Sequence, residues 1–449
     1  PAVKLLVLQG RDSAQLRAAA TALALGRPVL TGASAGVDQS AQVPPRAAYD
    51  APAWLRTDRP VRLGELVEDA HELEVTGHTP PPIRINARVP PDLFTWNQRG
   101  IPIDLRYRYT APPERDNSLL SIGINDEFVH AFALRPAEGV GGASQIQLPL
   151  LDQGGTGASD DVVIPAFQVG ADNQLQFRFA LDTHKAGPCQ NVATDAARAS
   201  IDPDSTIDLT GFPHYATLPN LSLFANAGFP FSKYADLGQT LIVMPDAPQA
   251  AHLEAALFVA GRIGRQTGAP ALRLKMVRAT DLPKDADADL LVIDGRQGRD
   301  LLGEWREALP VLLSGGSREF RPRPAARWYL PAFADAAAAD QTALQVQAKG
   351  GMAALLGFES PLRSGRSVVA LTATAPEALG QILDALEDGG RVRRIRGDAV
   401  LFHGRELSSL RGAKEYRVGN LPWFAAIWVL LSRYPLLLLI FALTAGVIG

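Results

Sequence analysis

Thr240-Leu241-Ile242-Val243-Met244 runs into Ala250–Arg262, where Leu253, Ala256, Leu257 and Ala260 fall in helical phase. A continuous apolar strand followed by an amphipathic helix is the unit of a parallel sheet covered on both faces. The same grammar recurs at Ser367–Leu371 with Pro376–Leu386, where Leu379, Ile382, Leu383 and Leu386 are in phase. It also opens the chain, as Val3–Leu8 followed by Ser13–Leu25 with Leu16, Ala19, Ala20 and Leu23 on one face. Further strands read at Leu272–Val277, Leu290–Asp294 and Val311–Leu313. Residues from about 236 to 403 therefore predict a doubly wound α/β domain. Residues 1 to about 40 predict the closing βα unit of a second such domain, whose beginning is expected to precede this sequence.

Between these regions the period changes. Ile101–Tyr109 alternates polar and apolar residues, as does Gln174–Leu181 with Leu175, Phe177 and Phe179 on one face. Leu119–Ile124 and Phe128–Leu134 read as a hairpin about Asp126. Period-two alternation marks half-buried antiparallel strands. Helix-length periodicity is missing from about 60 to 215, which predicts a β-sandwich of jelly-roll type.

Composition agrees with two or three domains rich in turns: 449 residues, 40 Gly and 34 Pro. A net charge of −3 gives no electrostatic case for nucleic acid. Cys189 is the sole cysteine, so it forms no internal disulfide.

Leu421–Gly449 carries one charge, Arg433. As a single helix it would reach about 43 Å at ~1.5 Å per residue, against a hydrocarbon core of ~30 Å. Arg433 would then lie mid-span, where a charge is costly. The Arg433-Tyr434-Pro435 junction divides the run better, because proline disfavours helix in the residue before it and suits the first turn of a new one. The expectation is a short helix capped by Asn420, with Pro422 in its first turn and Trp423, Phe424, Ile427, Trp428 and Leu431 as its apolar residues. Its tryptophans suit the headgroup zone, so it should lie along the interface. A second helix from Pro435 onward would enter the membrane.

The α/β region invites a cofactor, but its turns argue against one. Gln9-Gly10-Arg11-Asp12-Ser13 and Pro245-Asp246-Ala247-Pro248 lack the G-x-G-x-x-G pattern. The second places prolines where amide donors are needed and adds a carboxylate that repels phosphate. No cofactor is expected. Arg323-Pro324-Ala325-Ala326-Arg327 has the arginine spacing used to grip cyclic dinucleotides, without the Asp/Asn-x-Ser-x-x-Gly partner of that motif. The seven histidines form no spaced metal motif. The better lead is aromatic. Trp96 lies in the polar turn Thr95–Gly100, and Tyr107 and Tyr109 share one face of their strand. Sugars stack their apolar faces on such rings, so these three are the candidate carbohydrate contacts; Phe94 reads as core.

Pro219–Leu237, containing Asn226-Ala227-Gly228-Phe229-Pro230-Phe231, resembles the signature of the bacterial cellulose synthase B subunit. Val89-Pro90-Pro91-Asp92-Leu93-Phe94, the Arg106–Tyr109 strand and the ending from Pro422-Trp423 to Pro435-Leu436 fit as well. The resemblance implies the end of a first flavodoxin-like domain and a linker over 1–50, and a jelly-roll carbohydrate-binding domain over 51–222. It implies a second flavodoxin-like domain over 223–405, a linker and interfacial helix over 406–433, and a transmembrane anchor over 434–449. It implies an inner-membrane subunit with its bulk in the periplasm, not itself a glycosyltransferase. Its partners would be the catalytic A subunit, which makes β-1,4-glucan from UDP-glucose under cyclic di-GMP control, the cellulose chain and the lipid bilayer. Trp423, Phe424, Ile427, Trp428, Leu431, Arg433, Tyr434 and Pro435 would then meet lipid or partner helices. Arg411, Lys414, Arg417 and Arg433 ahead of the span would by themselves place that side in the cytoplasm, a rule that large translocated domains override. The alternatives are a membrane-tethered glycoside hydrolase or esterase, or a simple polysaccharide-binding protein.

Overall fold

The structure is a computed structural model describing residues 5–26, 32–37, 43–77, 79–95, 100–110, 118–134, 162–164, 172–181, 197–294, 298–314, 319–322 and 351–433. The chain divides into two compact units. One comprises Ala53–Ala216 with Val418–Gly449; the other comprises Pro1–Pro52 with Thr217–Arg417.

The first unit is antiparallel. Its strands are β1 (Val61–Arg62), β2 (Glu74–Thr76), β3 (Ile83–Arg88), β4 (Ile101–Asp104), β5 (Tyr107–Tyr109), β6 (Leu119–Ile124), β7 (Glu127–Ala133), β8 (Val162–Ile164), β9 (Asp172–Ala180), β10 (Arg198–Ile201) and β11 (Thr206–Ile207). They form sheets ordered β1-β11-β4-β8, β2-β10-β5 and β3-β9-β6-β7. One core serves all three, with Ile85, Ile103, Leu120, Leu175, Phe177, Phe179 and Ile201 buried in it. The alternation read in Gln174–Leu181 is the burial pattern of β9. The β6–β7 hairpin forms where the sequence placed it, turning at Asn125 and Asp126, both with positive φ. Among the described residues of this stretch, helical structure is limited to short turns at Leu63–Glu65 and Ala70–Leu73.

The chain passes between units within β12 (Tyr215–Leu218) and later within β22 (Tyr416–Gly419). The second unit holds β13 (Thr240–Met244), β14 (Lys275–Arg278), β15 (Asp289–Ile293), β16 (Val311–Ser314), β17 (Glu319–Pro322), β18 (Met352–Glu359), β19 (Ser367–Ala373), β20 (Ala399–His403) and β21 (Glu406–Leu410). The main sheet is ordered β14-β13-β15-β19-β18-β20-β21. β14, β13, β15 and β19 are mutually parallel, whereas β18, β20 and β21 pair antiparallel. The expected parallel sheet is thus a mixed one, with β18 antiparallel to both of its neighbours. Val311–Leu313 belongs to the β16–β17 pair and not to the main sheet.

The helices are α1 (Ser13–Ala24), α2 (Leu221–Ala227), α3 (Ala250–Thr267), α4 (Leu301–Glu304), α5 (Gly380–Glu387), α6 (Gly389–Val392) and α7 (Trp423–Arg433). α5 buries the face read from sequence, with Leu379, Ile382, Leu383 and Leu386 in the core. α3 does not. Leu253 and Leu257 are 45% and 68% exposed, while Ala255, Ala256, Val259 and Ile263 pack inward. Small residues let the helix approach the sheet closely, and His252 is fixed by accepting the Gln249 N–H at 2.9 Å. α1 is capped by Asp12, whose carboxylate accepts the Gln15 N–H at 2.7 Å. The strand expected ahead of it is irregular over Leu5–Leu8, and Leu16 and Leu23 are exposed. An apolar strand forms between covering layers, and among the described residues none covers this one.

Candidate functional site

The two tyrosines proposed for sugar stacking are corrected by their surroundings. Tyr107 and Tyr109 are 9% and 4% exposed and belong to the core of the antiparallel unit. Their rings stack on each other with centroids 6.0 Å apart, and Tyr107 also meets Phe132 at 5.8 Å. Both residues do share one face, as period two requires, but it is the inner face. Trp96 lies outside the described residues. Phe94, read as core, is half-buried, edge-on to Tyr215 with ring centroids 5.6 Å apart.

At the C-terminal end, α7 begins after Pro422, where the short apolar helix was expected, and is described as far as Arg433. Its first backbone bond runs from Ala426 N–H to the Pro422 carbonyl at 2.9 Å, so Asn420 stands two residues ahead of the cap position. Ala425 is buried, whereas Trp423, Phe424 and Ile427 are 76%, 52% and 48% exposed. Trp428 and Leu431 are half-buried. Adjacent large apolar side chains in water are unfavourable unless something covers them. The side chain of Arg433, together with Tyr434, Pro435 and the expected anchor over 434–449, lies outside the described residues. Among the described residues no helix is long and apolar enough to cross a membrane.

Ahead of α7 lies a constellation that the sequence reading did not find. Asp92, buried, accepts from His214 Nδ1 at 3.0 Å, and His214 Nε2 is 3.1 Å from Thr57 Oγ1. A carboxylate only accepts, so a neutral imidazole holds its proton at Nδ1 and takes the Thr57 hydroxyl as donor at Nε2. The His214 carbonyl accepts the Asn420 N–H at 3.1 Å, which places this relay at the root of α7. The polarity is that of an Asp-His-Ser triad with threonine in the nucleophile's place. Gly32-Ala33-Ser34-Ala35-Gly36 spells G-x-S-x-G, but it lies in an irregular, exposed stretch and not in a strand-to-helix turn.

In the α/β unit, the loops after the parallel strands meet at Asp246. One carboxylate oxygen accepts the Thr280 N–H at 3.0 Å and the Thr280 hydroxyl at 2.8 Å; the other accepts the Arg299 N–H at 2.8 Å. Gly298, with φ +95°, has no room for a Cβ, which would collide with this carboxylate. The Arg299 and Thr280 donors hold the Asp246 carboxyl below the usual range. Loop amides at the carboxyl ends of strands are what anion-binding α/β folds offer to phosphate. Here a side chain of the protein takes them.

Two family models match, described as "Cellulose synthase BcsB, second CBM domain" over residues 60–206 and "Cellulose synthase BcsB, second FD domain" over residues 214–371. A Pseudomonas fluorescens protein named "Cyclic di-GMP-binding protein" is 39% identical over 451 residues, covering 99% of this chain and 60% of that one. The Escherichia coli K12 protein of the same name is 37% identical, over 98% of this chain and 57% of its own length. "Cellulose synthase 1" of Komagataeibacter xylinus is 33% identical over 97% of this chain and 29% of its own. A solved acetyl xylan esterase of Butyrivibrio proteoclasticus overlaps with a TM-score of 0.16 at 8% identity, which bears on neither fold nor function. This chain spans about 60% or less of the length of these relatives, and it belongs to the cellulose synthase BcsB family.

Proposed function

We propose that this chain acts as a non-catalytic, membrane-anchored subunit of a bacterial cellulose synthase, with its bulk in the periplasm of an inner-membrane complex. It supports the glycosyltransferase A subunit and guides the secreted β-1,4-glucan. The observation that carries this reading is the match over 97% of the chain to one part of a longer protein named cellulose synthase. In that relative the matched region lies within a longer polypeptide named for cellulose synthesis.

The exposed face of α7 supports an interfacial helix that meets lipid and partner helices, continued by an anchor over 434–449. The parallel strands of the α/β unit, taken in chain order, lie 2-1-3-4 across the sheet, which supports a flavodoxin-like core extended by antiparallel strands. The antiparallel unit is read as a jelly roll. Trp96 remains a stacking candidate from its place in a polar turn. Cyclic di-GMP, which several relatives are named for binding, controls the complex in this reading; it does not sit where Asp246 occupies the loop amides.

Co-purification with a multi-span glycosyltransferase tests the assembly, and glucan synthesis in membranes tests the role. Removing the soluble units while keeping residues from about 405 onward should leave measurable synthesis. An inserted fragment that supports none, beside an intact subunit that does, would show that the anchor is only a tether.

A second reading, a tethered esterase or glycoside hydrolase, is favoured by the Thr57–His214–Asp92 relay alone. It requires turnover of an acetylated or glycosidic substrate that Thr57→Ala and His214→Ala both abolish.

A further inference from the structure

We infer that the outer face of the β3-β9-β6-β7 sheet is a docking face for a neutral β-glucan chain, with Phe128 as its stacking platform. The polymer's identity rests on the synthase reading above; the site rests on the sheet alone.

The inner face of this sheet is apolar and closed. Leu120, Ile122, Ile124, Leu175, Phe177 and Phe179 are all at most 2% exposed. The residues between them therefore point outward. Cross-strand pairing puts Arg84 beside Gln176, Gln176 beside Gly123, and Gly123 beside Phe128. At ~4.8 Å per strand this row spans about 14 Å. Phe128 ends it and is 68% exposed. An open ring at the end of a polar row is available for stacking. Its neighbour Gly123 leaves the ground beside it flat. A Cβ there would lie 3.0 Å from the Glu127 carbonyl oxygen, so the register of the hairpin itself favours glycine.

The rest of the face is built from amides. Gln176 Nε2 donates to Asp126 Oδ1 at 2.7 Å and lies 3.1 Å from Gln174 Oε1. Gln174 Nε2 in turn donates to Asn86 Oδ1 at 3.1 Å. These contacts fix the side chains in advance, which lowers the ordering cost of binding. An amide both donates and accepts, and so does a hydroxyl. Arg84 and Arg178 add donors and make no ion pair among the described residues. An apolar ring beside a flat, pre-ordered row of amides matches a sugar chain, whose rings have apolar faces and hydroxyl edges. A peptide strand would add along the edge of β7 instead of lying across the face. Leu119, 38% exposed, is the other large apolar side chain that β6 turns outward, and two such residues are few for a lipid surface.

Titrating the full chain with cellohexaose tests this. Binding should be weak and lost by about tenfold in Phe128→Ala, the loss expected of one stacking contact. Phe128→Trp should retain it. Gln176→Ala should weaken it by a smaller factor, without changing the melting temperature. Unaltered binding in Phe128→Ala would overturn the site, as would loss of binding in Trp96→Ala but not in Phe128→Ala. Tighter binding of an acidic oligosaccharide such as oligogalacturonate would overturn the commitment to a neutral chain. No binding by the wild-type chain, with co-purification of the glycosyltransferase intact, would sink the face and leave the synthase reading standing. Binding without co-purification would do the reverse.

Discussion

The β3-β9-β6-β7 sheet and the seven-stranded sheet use their faces differently. In the first, β9 alternates buried and accessible residues along its length. In the second, every residue of β15 and β19 is buried, because packed elements cover both faces. A sheet buried on both sides has only its strand ends left for chemistry, and there Asp246 accepts the Thr280 and Arg299 donors. A sheet buried on one side keeps a whole face for a ligand. The docking face we propose for an extended polymer therefore lies on the antiparallel unit.

The largest expected effects come from the doubly covered sheet. Phe402 is fully buried in β20, and Phe402→Ala should cost about 3–5 kcal/mol, read as an earlier transition of the α/β unit in urea unfolding. A loss below about 1 kcal/mol would mean that this sheet is not covered on both sides. Tyr107→Ala should destabilise the antiparallel unit by about 3 kcal/mol, since its ring lies between Tyr109 and Phe132. An unchanged unfolding curve with lost sugar binding would restore Tyr107 to the surface.

A smaller effect is electrostatic. Arg59 and Arg62 pull the Glu65 carboxyl down from its ordinary 4.5 to about 2. A depressed carboxylate stabilises the fold above its unfolded value, and that contribution fades as pH falls through the folded one. Glu65→Gln should therefore converge on the wild type as pH falls below about 2 and be less stable than it above pH 4.5. Equal stability of the two at every pH would show that the Arg59 pair is worth nothing. Smallest of all, Phe128→Ala should change stability by no more than about 0.5 kcal/mol, as for a surface substitution. A core-sized loss would place the ring inside the fold and remove the asymmetry between the two sheets.

What sequence could show followed from periodicity. Leu175, Phe177 and Phe179 announced a half-buried strand, and Leu379, Ile382, Leu383 and Leu386 a helix face, because burial on one side imprints a period. The same signal misled at α3. There Leu253 and Leu257 weigh heavily on any hydrophobicity count, yet beside Ala256, which was in phase, it is Ala255, Val259 and Ile263 that are buried. For Tyr107 and Tyr109, alternation gave a shared face but not which way it pointed. Thr57, Asp92 and His214 were invisible because 122 and 157 positions separate the relay's pairs. Phe128 escaped because the register shift near Gly123 breaks the alternation that would have marked it as outward.

The central claim is that ligand contact belongs to the one-sided sheet and not to the α/β unit. Fluorine NMR on the full chain, with its 17 phenylalanines replaced by 4-fluorophenylalanine, tests it directly. The Phe128 resonance would be assigned by its disappearance in Phe128→Leu. On titration with cellohexaose that resonance should shift progressively, while those of Phe358 and Phe402 in the doubly covered sheet stay in place. A static Phe128 beside moving Phe358 or Phe402 resonances would contradict the account.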